Sequence, residues 1–175
     1  LQPQKNWHFT IGQQKVPFST DNLRSPHELY FANRSFMGKQ LTNLRDVGIS
    51  ANTLNNRILP FDCTIGIYNG LGLYTQDKSM KLNELSYAAR IVLFPKEPLK
   101  LSLNVNTIDP ANIRMTFYNA GLTYDLGNFH FETEYLYKTH SENTLLSSSS
   151  TTGYFVFGAY NIKTPKLKHI TKITP

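Results

Sequence analysis

The chain has 175 residues, of which 40% are apolar by type and 17% charged, with a formal net charge of +6; its mean hydropathy is −0.35 and its isoelectric point lies near 9.4. That length suits one domain, and no apolar run approaches the roughly 18 residues of a membrane-spanning helix, which excludes a helical membrane protein. A basic balance suits nucleic acid, an anionic membrane surface or a small anion, but Lys and Arg are spread along the chain without a run, which argues against nucleic acid.

The first element is a strand at Trp7–Gln14. Trp7, Phe9 and Ile11 alternate there with His8, Thr10, Gly12 and Gln14, the period of a sheet with one apolar and one polar side. A long excursion over 15–44 follows, in which Ser25-Pro26-His27-Glu28 has the form of a capping box and predicts a short helix through about Asn33. The basic residues of this excursion are Lys15, Arg24, Arg34 and Lys39. A second strand over 45–54 sets Val47, Ile49 and Ala51 against Asp46, Gly48, Ser50 and Asn52, and Asn55-Asn56-Arg57 turns the chain. The strand over 59–69 carries Phe61, Cys63, Ile65 and Ile67 on one face. Its single cysteine excludes a disulfide framework.

After a loop over 70–84 come strands over 85–94 and 99–106. The second is the cleanest alternation in the chain, with Leu99, Leu101, Leu103 and Val105 opposing Lys100, Ser102, Asn104 and Asn106. Strands over 115–126 and 129–140 are joined by a two-residue hairpin at Gly127-Asn128. The later one points His130, Glu132, Glu134 and Lys138 to one side. A polar loop with four consecutive serines precedes a strand over 154–162, and the basic tail offers a ninth.

The connections alternate between long and short, and the strands have the 8 to 12 residues needed to cross a bilayer at a tilt. We therefore expect an all-β fold, an antiparallel transmembrane β-barrel with about 8–9 strands in this chain. Ten Tyr, eleven Phe and one Trp would furnish its interfacial girdles. With the short turns in the periplasm, the 15–44 excursion begins on the outer side and can fold into the lumen as a constriction loop. Eight strands close a barrel whose interior is filled by side chains, and a wide pore needs about sixteen. The 1–175 domain is thus expected to be part of a 16-stranded barrel, cut from something longer.

The segments W-H-F-T-I-G-Q-Q-K-V-P-F, E-L-Y-F-A-N-R-S-F, R-D-V-G-I-S, Y-N-G and A-A-R-I-V-L-F-P, in this order over about residues 7–140, resemble signatures of the phosphate-selective porin O/P family. That resemblance implies a trimeric, sixteen-stranded anion porin of the bacterial outer membrane, with basic residues at its constriction. It also implies pore-lining roles for Lys15, Arg34, Arg45 and Arg90. About half the family's strands and its closing C-terminal aromatic are missing here.

Arg suits phosphate because its planar fork gives paired donors, and Arg24, Arg34, Arg45, Arg90 and Lys100 could form a ladder of fixed charge. His130, Glu132 and Glu134 share a face, which as polar lumen lining needs no metal. No catalytic motif occurs, so neither an enzyme nor a cofactor is expected. The expected partners are small anions and outer-membrane lipids, and no nucleic acid. The alternatives are a non-conducting structural or adhesive outer-membrane barrel and a soluble lipid-binding barrel.

Overall fold

The computed structural model describes residues 7–36, 45–53, 61–70, 85–94, 98–108, 113–142, 149–163 and 172–173. Eight strands form one sheet: β1 (Trp7–Gln14), β2 (Asp46–Thr53), β3 (Phe61–Tyr68), β4 (Ser86–Leu93), β5 (Leu99–Ile108), β6 (Ile113–Leu126), β7 (Phe129–Glu142) and β8 (Ser149–Tyr160). Each strand pairs antiparallel with the next in sequence, so the sheet is a simple meander from β1 to β8. A separate two-residue ladder joins β9 (Ile162–Lys163) to β10 (Lys172–Ile173). No described helix is long and apolar enough to cross a membrane, which says nothing of strands.

The fold is all-β and antiparallel as expected, but the sheet is open. Among the described residues β1 and β8 pair with one neighbour each and not with one another. Two further expectations are corrected. The capping-box segment forms only a three-residue 3-10 turn, Pro26–Glu28, and not a helix reaching Asn33. The Glu28 carboxylate accepts from the Ser25 amide at 3.1 Å, while the Glu28 amide donates to the Ser25 carbonyl at 2.9 Å. A single α-helical turn, α1 (Thr20–Leu23), stands just before it. The length sorting of the connections also weakens along the chain. β6 and β7 each run 14 residues and absorb residues that read as loop, so the 109–112 connection is as short as its opposite numbers.

The period-2 alternation places the faces of β1, β2, β3, β5 and β7 as read. One face presents Ile11, Ile49, Ile65, Leu103, Tyr135 and Tyr154 to the exterior, uncovered by any described residue and up to 78% exposed at Tyr154. The other face buries Ser50, Ser86, Ser102, Asn104, Asn106, Asn119, Glu132 and Glu134. Against that polar side lies the segment after β1. Its Val16 and Phe18 join Tyr68, Ala88, Phe117 and Leu136 in a small apolar core, with Phe18 and Phe117 edge-to-face at 6.1 Å. The principal buried cluster is therefore built on the polar face, where four strands each contribute one apolar side chain.

Turn and glycine positions follow from local sterics. Gly127, with φ of 60°, takes the first turn position of the β6–β7 hairpin, where a positive φ favours glycine. Gly66 is needed for a different reason, because the Tyr68 ring lies over it. A Cβ there would sit 2.7 Å from Cε2 and Cζ of that ring. Overpacking of this kind costs about 1–3 kcal/mol. Gly66→Ala should therefore lower the unfolding free energy by that amount in a denaturant titration. Gly158→Ala, whose added Cβ meets nothing within 4 Å, should stay within about 0.5 kcal/mol. Equal stability of the two variants would refute the packing of Tyr68 on the glycine.

Candidate functional site

The site is the seat of the 15–36 segment on the inner face of β4–β8. Lys15 begins it by turning its ammonium back along the segment, donating to the carbonyls of Leu23 at 2.9 Å and Arg24 at 2.7 Å. Burial, with the nearby charges of Arg34 and Arg45, lowers the Lys15 pKa. Ser19 then adopts φ of 65°, a conformation a non-glycine residue holds only when its surroundings enforce it. Those surroundings are visible. The Ser19 hydroxyl donates to Glu134 Oε2 at 2.7 Å and accepts from the Asn22 amide at 3.3 Å, which caps α1. The amides of Thr20 and Asp21 both donate to Glu134 Oε1.

Glu134, 2% exposed, thus takes the first amides of α1 on one oxygen and the capping hydroxyl on the other. From it a chain of contacts runs across the sheet. Asn119 donates to Glu134 at 3.2 Å, Asn104 to Asn119 at 2.5 Å, and Arg90 to Asn104 at 2.8 Å. Arg90 also reaches the Thr20 hydroxyl at 3.2 Å, closing the circuit back on the segment. Four adjacent strands and the loop are joined by these side chains, and buried polar groups in such a network fix a single arrangement.

A second anchor lies one residue pair along β7. The Arg24 guanidinium forms a two-pronged ion pair with Glu132, which is 1% exposed. Burial opposes the Arg24 charge, but Glu132 outweighs it and the pKa ends above the ordinary arginine value. Arg24 also stands 5.2 Å over the Tyr30 ring. Arg34 donates to the carbonyls of Asp21 and Arg24, while the Asp21 carboxylate accepts from the Ser35 amide and hydroxyl at 2.9 and 2.8 Å. His130, on β7 beside Glu132, lies 2.5 Å from Asp125 and stacks on Tyr30 at 4.9 Å between centroids.

The structure brings Lys15, Arg24, Arg34 and Arg90 together in this seat. It does not place Lys100 there: Lys100 stands near the β6–β7 hairpin end, 3.4 Å from Asp125, with both groups partly exposed. Arg45 heads β2 in an exposed position, and Lys39 lies outside the described residues. Among the described residues no group of acidic, His or Cys side chains is arranged to hold a metal ion.

Sequence reading missed the role of Glu132 and Glu134, which face the interior as lumen lining would but act as the acceptors that hold the loop. A signal existed: Phe117, Leu136, Phe155 and Phe157 are apolar at positions whose parity is polar, and these are the places where the loop packs. Asp46 was likewise only a polar-face residue in the alternation. It is 1% exposed and accepts from the amides of Val47 at 2.7 Å and Gly70 at 2.8 Å, tying the start of β2 to the end of β3.

Glu134→Ala removes the shared acceptor and leaves a buried hydroxyl and two amides without it. Hydrogen bonds to a charged group contribute about 1.5–3 kcal/mol each, so the segment should detach locally. Trypsin cleavage after Arg24 should accelerate at least ten-fold, read by mass spectrometry of the nicked chain. An unchanged cleavage rate would show that Glu134 does not hold the loop. No protein-family model, no curated protein and no solved structure matches the chain.

Proposed function

We propose that this chain forms the transmembrane β-sheet of an outer-membrane porin, with the 15–36 segment as the constriction inside its water-filled passage. The observation that carries this reading is the inverted distribution of polarity. A continuous apolar face is left uncovered by the described residues along eight strands, while hydrogen-bonded polar and charged side chains line the opposite side. Monomeric proteins in water rarely expose an apolar surface of that extent, whereas lipid on one side and water on the other ask for it. The strand lengths of 8 to 14 residues reach or exceed the 9–11 residues of a tilted crossing for four of the eight strands and come within one residue of it for the other four. Open edges are not tolerated in hydrocarbon, so β1 and β8 pair with further strands or with each other once the barrel is complete. The volume taken by the loop favours further strands, since eight alone enclose only their own side chains. The motif resemblance over residues 7–140 points the same way.

For the solute, the seat holds Lys15, Arg24, Arg34 and Arg90 against Asp21, Glu28, Glu132 and Glu134, so its own charges balance, and the cationic excess is that of the chain, +6. Fixed charge along a passage selects ions by sign, and the chain's basic excess together with the motif resemblance supports small anions, phosphate among them. The preference is modest, because Arg24 is spent on Glu132 and Arg90 on the hydrogen-bond chain. Trimeric assembly belongs to the same proposal. A non-conducting barrel is the second reading, favoured by how fully the described loop is bonded down.

The test is conductance in planar bilayers. Stepwise currents with an anion-selective reversal potential are expected. Arg34→Glu should move that potential toward cation selectivity, and Glu134→Ala, by loosening the constriction, should raise the unit conductance. A silent membrane with correctly inserted protein would refute the pore. Currents whose reversal potential ignores Arg34→Glu would refute the charge assignment.

A further inference from the structure

One cavity is left unused by the porin reading. It lies between the loop and β8, encloses about 340 Å³, and is walled by the rings of Tyr30, Phe31 and Phe157 with Arg24, Arg34 and Asn33 at its polar side. Phe31 is 65% exposed although it touches Phe157 edge-on at 5.3 Å. Tyr30 meets the same ring at 4.5 Å and remains 40% exposed. Aromatic faces presented to water around a concavity, with a few polar groups on one side, have the character of a small-molecule site.

The charges at this cavity decide the class of occupant. Arg24 is neutralised by its ion pair with Glu132, and Arg34 sits beside Asp21, whose carbonyl it binds. Two cations and two carboxylates give an incoming anion no net attraction. The polar side still has hydrogen-bonding capacity: each guanidinium carries five N–H donors, a carboxylate has about four acceptor positions, and an exposed Asn33 amide offers both. A neutral ring with one apolar face and a rim of hydroxyls matches apolar walls beside uncharged-in-sum donors and acceptors. The volume stands at the small end of the roughly 300–1,000 Å³ of such pockets, which suits one ring and not a chain of them.

We propose that the cavity formed by Tyr30, Phe31, Asn33 and Phe157 is a binding subsite for a neutral monosaccharide in its pyranose form. The sugar's C–H face lies on Phe31 and Phe157, and its hydroxyls exchange hydrogen bonds with Asn33 and the Arg24–Glu132 pair. The proposal rests on the porin reading only in taking this face of the sheet as wet.

Isothermal titration of the whole chain, folded in detergent micelles, tests it with D-glucose, and with benzoate and inorganic phosphate in parallel. Saturable heat is expected with glucose alone, weakened at least ten-fold by Phe31→Ala and by Asn33→Ala. Both side chains are exposed, so neither truncation empties a core; should one variant fail to fold, the other decides. Absence of saturable glucose binding, undiminished binding in the folded variants, or preference for benzoate or phosphate would overturn the subsite. Glucose binding by a chain that passes no current would uphold the subsite and remove the pore, and anion current without glucose binding would do the reverse.

Discussion

The architecture depends on a reversal of the usual relation between hydrophobicity and burial. In a water-soluble antiparallel sheet one face packs on a core and reads apolar, while its solvated face reads polar. Here the apolar residues of the alternating pattern are left uncovered by the described residues, and the side chains shielded from solvent are, beside one small apolar cluster, mostly serine, asparagine, aspartate and glutamate. Burying such groups is tolerated only when they are hydrogen-bonded and charges are paired. Over β4–β7 the inner face meets that requirement by recruiting a piece of the chain, the segment after β1, as a partner, whereas on β2 and β3 Asn52 Oδ1 and the Tyr68 hydroxyl are buried without a hydrogen-bond partner among the described residues.

That recruitment explains several features together. Ser19 holds a left-handed backbone because its hydroxyl and the next two amides converge on one carboxylate. Glu132 tolerates burial because Arg24 meets both of its oxygens. Phe117 and Leu136 sit on the polar side because Val16 and Phe18 cover them. The loop makes its strongest bonds to β7, at the far end of the sheet from the β1–β2 pair it connects, so it spans the inner face and does not hug its own hairpin. In the proposed barrel such a segment crosses the lumen, and its conformation sets the width of the passage.

Much of the sheet was legible in the residues alone. Strict alternation over 99–106 and the glycine turn after β6 fixed which side chains share a face, since a period of two leaves no freedom once the strand is recognised. The loop was less legible. Ser25-Pro26-His27-Glu28 carries the local signals of a helix start, yet the chain is directed by distant partners, Glu132 and Glu134, about 110 positions away in sequence. Long-range pairing of that kind leaves no periodic trace, and it outweighs local propensity. Arg34 and Arg90 were singled out for their charge. Their geometry shows them spent largely on carbonyls and neutral side chains, which no residue pattern announces. The open edge of β1 and β8 is equally invisible to alternation, because an edge strand and a central one share the same period.

The account turns on lipid wetting one side of the sheet and water the other. Spin labels at single cysteines over 101–106, in a Cys63→Ala background and in lipid vesicles, read this directly through their accessibility to oxygen, which partitions into hydrocarbon, and to a water-soluble nickel chelate. The account predicts oxygen contact at Leu103 and Val105 and low oxygen contact at Ser102, Asn104 and Asn106, alternating with every residue. Accessibility without that two-residue period, or with the two sets exchanged, would contradict it.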